Sequence, residues 1–228
     1  MAKRKTPRPA QEQAKGRTPK IMIAIPAGDQ CMTLWAQSLV GLMAMATPDV
    51  AYDFAIGSLV YDARNQLSLA AVQEDMDLLL WTDTDMIFPR YALEMLATTL
   101  AQTGADVVTS ICTTRKLPIE PVIYSRLDYE QNEADGTVKV HKEVYKDYPR
   151  DSVFEVAGCG FGFCLTSVGI WKRIWDELGQ PFAPLPAFGE DLSACIRIRK
   201  LGGKIVCDSR VKVQHIGLFP IGEEYLDD

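Results

Sequence analysis

Histidine is almost missing from this chain, with two among 228 residues, and cysteine pairs at metal or redox spacing are missing altogether. None of the six cysteines (Cys31, Cys112, Cys159, Cys164, Cys195, Cys207) forms a C-x-x-C pair, and no histidine pair sits at zinc-finger distance. That excludes zinc fingers and thioredoxin-type sites. Scattered among apolar neighbours, most of the cysteines read as reduced, buried small hydrophobes, so the expected compartment is the cytoplasm. Long apolar runs are lacking too. The most apolar helical stretch, Leu34 to Ala46, is interrupted by Gln37 and Ser38 and is too short to cross a bilayer. No apolar segment follows the basic N-terminus, so neither a signal peptide nor a transmembrane segment is expected. A G-x-x-x-x-G-K-[ST] loop and internal repeats are also absent, which removes P-loop nucleotidases and solenoids.

What is present is a globular composition: 47% hydrophobic and 24% charged residues, enough for a self-sufficient core. The net charge of −6 conceals an asymmetry, because residues 1–20 carry seven bases against one acid and the remaining chain sums to −12. An acidic body gathers cations and argues against a broad nucleic-acid face. The leader, 1–20, is expected to be disordered and solvated, with contact to phosphate or anionic lipid as the alternative.

The expected order is α/β. Ile21–Pro26 is a buried first strand, followed by a helix from an N-cap at Thr33 to near Pro48. Tyr52–Leu59 is a second strand and Tyr61–Glu74 a second helix. Met76–Trp81 is a third strand running into Thr82-Asp83-Thr84-Asp85. Pro89 opens a helix to about Gln102, and Asp106–Cys112 is a fourth strand. Strands separated by helices imply βαβ units and a mostly parallel sheet, with the ligand crevice at the carboxyl ends of the strands. Residues 115–150 read as a hairpin-bearing excursion or flap, with a turn at Asp135-Gly136. After Val153–Val156 comes the glycine-rich run Gly158–Phe163, then helices at Val168–Leu178 and Glu190–Leu201, the second closed by Gly202-Gly203. Lys204–Val213 is a last strand or two that delivers Gln214-His215 to a loop. Residues 21–228 form one domain on this reading.

Four features bear chemistry. Asp83 and Asp85, two residues apart at the exit of a buried strand, are hard oxygen ligands where nucleotide phosphates would lie, suited to Mg2+ or Mn2+. A solvated turn is the bland alternative. A D-x-D phosphatase is the catalytic rival, although that motif normally follows the first strand. Glu190-Asp191 opens a helix, where acids also serve the helix dipole, and one of them can act as a general base. His215 follows a late strand and can join oxygen ligands around Mn2+, or be structural. The glycines at 158, 160 and 162 permit close backbone approach to a sugar or to another strand.

In that order these motifs resemble the GT-A glycosyltransferases, the family 2-like group in particular, over roughly Ile21 to Gly217. The resemblance implies a Rossmann-like, mostly parallel mixed sheet flanked by helices, with a β-hairpin insertion. It implies a nucleotide-diphosphate sugar donor and Mn2+ or Mg2+ as cofactor. Pro26 and Ala27 would receive the nucleotide base. Arg64, in Asp62-Ala63-Arg64-Asn65, would lie near the diphosphate or sugar. Asp83 would contact ribose or metal-bound water, and Asp85 and His215 would ligate the metal. Gly160 and Phe161 would line the sugar and acceptor pocket. Asp191 would be the base of an inverting transfer, with Glu190 orienting the acceptor. The acceptor is left open among a saccharide, a protein, a lipid-linked glycan and, more remotely, a modified nucleic-acid base. A nucleotidyl- or phosphate-transferring enzyme and a non-catalytic nucleotide-sugar binding module are the competing functions.

Overall fold

The structure is a computed structural model, and it describes residues 17–217 apart from residue 58 and residues 132–135. Residues 1–16 of the leader expected over 1–20 lie outside the described residues. Arg17 precedes the first strand and pairs with Asp77 at 2.6 Å.

Among the described residues there are twelve strands and five helices. β1 is Ile21–Ala27, α1 Thr33–Met43, β2 Val50–Ile56, α2 Val60–Gln73, β3 Leu78–Thr82 and β4 Met86–Ile87. Then come α3 at Ala92–Thr103, β5 at Val107–Thr109, β6 at Ile123–Gln131 and β7 at Val138–Val144. β8 at Val153–Glu155, β9 at Gly158–Cys159 and β10 at Phe163–Ser167 lead into α4 at Val168–Leu178. The chain closes through α5 at Glu190–Lys200, β11 at Ile205–Asp208 and β12 at Gln214–His215.

The main sheet has the order β2-β1-β3-β10-β5-β11-β8, and five of its seven strands point the same way. It is a mixed, mostly parallel sheet with helices on both faces, as the sequence led one to expect. β1 is apolar along its whole length because both faces are covered. Ile21, Ile23 and Ile25 turn to the layer of α1 and α3, with Trp35, Leu80 and Leu96. Met22 and Ala24 turn to the layer of α2, α4 and α5, with Leu67, Trp81, Trp171 and Ile198.

Several boundaries differ from the sequence expectations. Thr33 is the first helical residue of α1, not its cap; Met32 holds the cap position, without a side-chain cap bond. Pro89 lies in a turn before α3, its carbonyl accepting from Ala92 N–H at 3.0 Å. The strand β10 was not expected at all. It lies in the centre of the sheet, antiparallel to both β3 and β5. Its direction has a consequence for the site: the start of β10 meets the end of β3, with Phe163 opposite Thr82. The glycine-rich run is thereby laid against Asp83, whose N–H donates to Gly162 O at 2.9 Å.

The excursion after β5 contains the expected hairpin, β6 with β7, joined to β9 in a three-stranded sheet. Its first strand is built into the body, since Ile123, Tyr124 and Leu127 are buried in the core.

One glycine is dictated by packing. A Cβ on Gly203 would lie 2.6 Å from Ile198 Cγ2 and 2.8 Å from the Ile198 carbonyl oxygen. The carbonyl belongs to the last turn of α5, whose end also accepts Gly203 N–H at 2.8 Å, so it cannot move aside. Gly203→Ala is expected to destabilise by about 1–3 kcal/mol, as overpacking does. Thermal unfolding should show Tm lower by ~2–4 °C per kcal/mol for a domain of this size.

Candidate functional site

The carboxyl ends of β1 and β3, the start of α2, the loop after β5 and β12 enclose a cavity of about 270 Å3. Its walls include Pro26, Ala27 and Gly28, then Ala63, Asp83, Thr84, Asp85, Arg115 and His215. Five separate stretches of chain therefore supply one crevice, at the sheet edge where α/β proteins bind ligands.

Asp85 is held by its backbone as much as by its side chain. Its carbonyl accepts Ile216 N–H at 2.9 Å, and β12 pairs with β4 so that His215 lies opposite Met86. His215 is therefore fixed in a short strand, a correction to its expected place in a loop. Its Nδ1 is 2.6 Å from Thr113 O, and a carbonyl can only accept, so Nδ1 carries the hydrogen. In the neutral ring Nε2 is then a bare lone pair, 3.3 Å from Asp85 Oδ1. That carboxylate oxygen is buried and has no hydrogen-bond partner. Two lone pairs in that relation require a positive charge between them, either a proton on Nε2 or a cation.

The charges around the pair respond accordingly. Burial pushes the Asp85 carboxyl up, but His215 and Arg115 outweigh it and hold the group below its usual range. Burial pulls the His215 ring down, but Asp85 and the Thr113 carbonyl raise it above the ordinary imidazole value. The donor set, one carboxylate and one imidazole with Asp83 nearby, has the chemistry that Mn2+ accepts, with water or phosphate completing the shell. Asp83 stands apart from them: its Oδ1 is 2.9 Å from Arg64 Nη2. Among the described residues no group of three His, Cys, Asp or Glu side chains stands ready as a closed metal cage.

Arg64 is the hub beneath the cavity. Its side chain is 3% exposed, yet its Nε lies 3.5 Å from Glu190 Oε1 and its Nη1 3.4 Å from Phe161 O. The guanidinium sits over the Trp81 and Phe161 rings at 5.7 and 6.0 Å. Burial alone would lower its pKa, but Asp83, Glu190 and Asp191 together raise it, so the charge is kept. The next residue, Asn65, accepts Phe182 N–H at 2.9 Å and so ties the proline-rich loop to α2. Trp81, Phe161, Trp171 and Phe182 form an edge-to-face cluster that supports Arg64 from below. Phe161 thus corrects an expectation. Its ring belongs to the core, 1% exposed, and only its carbonyl faces the site.

Asp191 is not among the residues that line the cavity. It faces the glycine run: a Cβ on Gly160 would come within 3.5 Å of its Oδ2 and 2.9 Å of Val122 Cγ1. Gly162 holds the corresponding place beside Asp83, at 3.6 Å from Oδ2. Both glycines are buried and closely packed, and neither lines the cavity, which corrects the expected place of Gly160 in a sugar pocket. Burial, then the adjacent Glu190, pushes the Asp191 carboxyl up to about 6. The turn entering α5 is strained, with Ala187 at φ +68°. Such a conformation costs a residue with a side chain ~1–2 kcal/mol.

Arg115 and Thr113 were not singled out by sequence. Each acts through a backbone or a partner far along the chain, and no local pattern marks them.

Comparison with known proteins agrees on architecture. No protein-family model matches the chain, and no curated protein matches it. Many solved structures share the fold, among them the following two. A197 from STIV aligns with a TM-score of 0.56 at 16% identity, covering 86% of this chain and 85% of that one. GalNAc-T7 with UDP, GalNAc and Mn2+ aligns with a TM-score of 0.56 at 10% identity, over 91% of this chain and 46% of that one. The present chain thus spans about half the length of that glycosyltransferase. At these identities the likeness is one of fold, a GT-A-like sheet. No helix among the described residues is long and apolar enough to cross a membrane.

Proposed function

We propose that this protein is a metal-dependent glycosyltransferase that takes a nucleotide-diphosphate sugar as donor and transfers the sugar to an acceptor hydroxyl with inversion. The observation that carries the reading is the buried Asp85 Oδ1 facing His215 Nε2 at 3.3 Å, in the wall of a cavity at the carboxyl edge of the sheet. GalNAc-T7, a structural neighbour, holds UDP and Mn2+, which supports the same class of donor.

Asp85 and His215 would hold Mn2+ or Mg2+, with Asp83 contributing through water or ribose. When bound, the cation supplies Lewis-acid neutralisation of the charge that builds on the departing diphosphate. Pro26 and Ala27 border the nucleotide end of the cavity. Arg64 fixes Asp83 on one side and Glu190 on the other, so the donor end and the acceptor end are positioned through one buried cation. Asp191 accepts the proton of the attacking hydroxyl. A carboxyl raised to about 6 is still ionised at neutral pH and is a stronger base than an exposed aspartate.

The test is release of nucleoside diphosphate from a panel of UDP-, GDP-, CDP- and dTDP-sugars with Mn2+. Slow hydrolysis of one donor is expected even without acceptor. It should be lost on treatment with EDTA and restored by added Mn2+. Orthophosphate release from simple phosphate monoesters instead would replace this reading with a D-x-D phosphatase. Tight nucleotide-sugar binding without turnover under any acceptor would replace it with a binding module.

A further inference from the structure

Arg115 is the sole lysine or arginine among the described residues lining the Asp83–Asp85 cavity. Its Nη1 lies 2.5 Å from Asp85 Oδ2, yet the side chain is 57% exposed. The guanidinium is therefore held at one end by a half-buried carboxylate and is otherwise free in solvent. The loop that carries it is closed at its base. Thr113 and Pro121 form a backbone bridge, and Thr114 N–H donates to Glu120 O at 2.9 Å. The Thr114 hydroxyl accepts Glu120 N–H at 3.0 Å and points its own hydrogen at the carbonyls of Lys116 and Pro118. Glu120, the nearest acid on the loop, is engaged by Lys146 at 2.5 Å. The backbone around Arg115 is fixed while its head group can turn.

Asp85 has two oxygens and two demands upon them. Oδ1 is the unpartnered atom facing His215, and Oδ2 is occupied by Arg115. A divalent cation seated on this carboxylate would lie within a few ångströms of the guanidinium, and like charges at that separation repel strongly in a partly buried site. The other cation, Arg64, is buried and committed to Asp83 and Glu190, so it cannot serve the mouth of the cavity. A nucleoside diphosphate brings more negative charge than one divalent cation neutralises once two aspartates share the site. Planar, bidentate recognition of phosphate is what an arginine does best.

We propose that Arg115 is a resident counter-ion for Asp85 that gives up this carboxylate when a divalent cation takes it, and then grips the diphosphate of the nucleotide. This inference rests on the donor-site reading above. It makes cation and nucleotide binding mutually reinforcing. In the free chain Arg115 competes with the cation, and with nucleotide present it has a better partner and the competition ends.

The experiment compares wild type, R115Q and R115K in two titrations. The first is Mn2+ alone, followed by the paramagnetic signal of free Mn2+. The second is UDP, GDP, CDP or dTDP at saturating Mn2+, followed by calorimetry. R115Q should bind Mn2+ alone several-fold more tightly, because the competing charge is gone. The same variant should bind the preferred nucleoside diphosphate ~10–100-fold more weakly, the worth of a hydrogen bond between charged groups. R115K should keep the competition with Mn2+ and lose part of the nucleotide affinity, since an ammonium is a point charge without the fork. Opposite signs in the two titrations of R115Q are the signature. Unchanged or weaker Mn2+ binding in R115Q, or unchanged nucleotide affinity, would overturn the proposal while leaving the donor site in place. Failure of the wild type to bind Mn2+ and every nucleotide would instead remove the donor-site reading itself, and this inference with it.

Discussion

Asp85→Ala is expected to erase the Mn2+-dependent stabilisation of this protein by its nucleotide. In the wild type, a nucleoside diphosphate at a hundred times its Kd should add ~2.7 kcal/mol to folding. At ~2–4 °C per kcal/mol for a domain of this length, Tm should rise by several degrees, for one base among UDP, GDP, CDP and dTDP and only with Mn2+. Alanine removes the carboxylate that faces His215 Nε2 at 3.3 Å and also holds Arg115 at 2.5 Å. The variant itself should fold, because the strand pairing of β12 with β4 and the bond from Ile216 N–H to the Asp85 carbonyl are backbone features that alanine keeps. Its thermal curves with and without Mn2+ should superimpose at every nucleotide concentration. A full Mn2+-dependent shift surviving in Asp85→Ala would mean that the cation is held elsewhere, and the assignment of this cavity as the donor site would fall.

The two halves of the site carry different loads, and Arg64 explains why they are placed together. A guanidinium buried in an aromatic cluster is costly unless its charge is matched. Here the match comes from Asp83 at the end of β3 and Glu190 at the start of α5, two elements 107 residues apart in the chain. Folding the arginine inward thus obliges both acidic segments to converge. The hydrophobic core and the polar site are specified by the same residue.

How much of this could be read from sequence depends on where each signal resides. β1 and β3 were legible because strands covered on both faces are apolar throughout, and Ile21–Ile25 and Leu79–Trp81 are buried on both sides of the sheet. α4 was legible to the residue, Val168–Leu178. β10 was not, for the same physical reason that makes it central. Phe163 to Ser167 are all buried and run into α4 without a glycine or proline, so no punctuation separates strand from helix. Asp83, Asp85 and the Glu190-Asp191 pair announce themselves as acids at element ends. Arg115 does not, because its significance lies in a loop closed by Thr114 that aims it at a carboxylate thirty residues away. Phe161 was placed in a pocket by the family resemblance, since the glycine run by itself fits packing equally well. Its ring turns instead to the aromatic cluster around Trp81, where apolar area is removed from water.

Asp191→Asn is expected to separate turnover from binding, and to do so with a gain in stability. As a general base the carboxylate contributes ~10²–10⁴-fold to the rate, and kcat should fall by that factor. Nucleotide affinity at saturating Mn2+ should change little, since Asp191 faces Gly160 and Gly189 and is not among the walls of the donor cavity. The pH dependence carries a second signature. Burial and the neighbouring Glu190 push Asp191 up from 3.8 to about 6. Below the unfolded value both states are protonated; between there and about 6 the unfolded chain has ionised while the folded one still holds its proton. Stability therefore falls as pH rises through that window, and the loss is complete above it, at about 1.4 kcal/mol per unit before screening. Asparagine cannot ionise, so the variant should escape this loss: ~1–3 kcal/mol more stable than wild type at pH 7.5, and no different near pH 4. Wild-type kcat/KM should show an acid limb near the same value, absent from the residual activity of the variant. A residue of purely structural importance would lose stability when changed and leave the acid limb where it was. An Asp191→Asn protein that unfolds earlier at pH 7.5 and keeps its turnover would take the base away from Asp191.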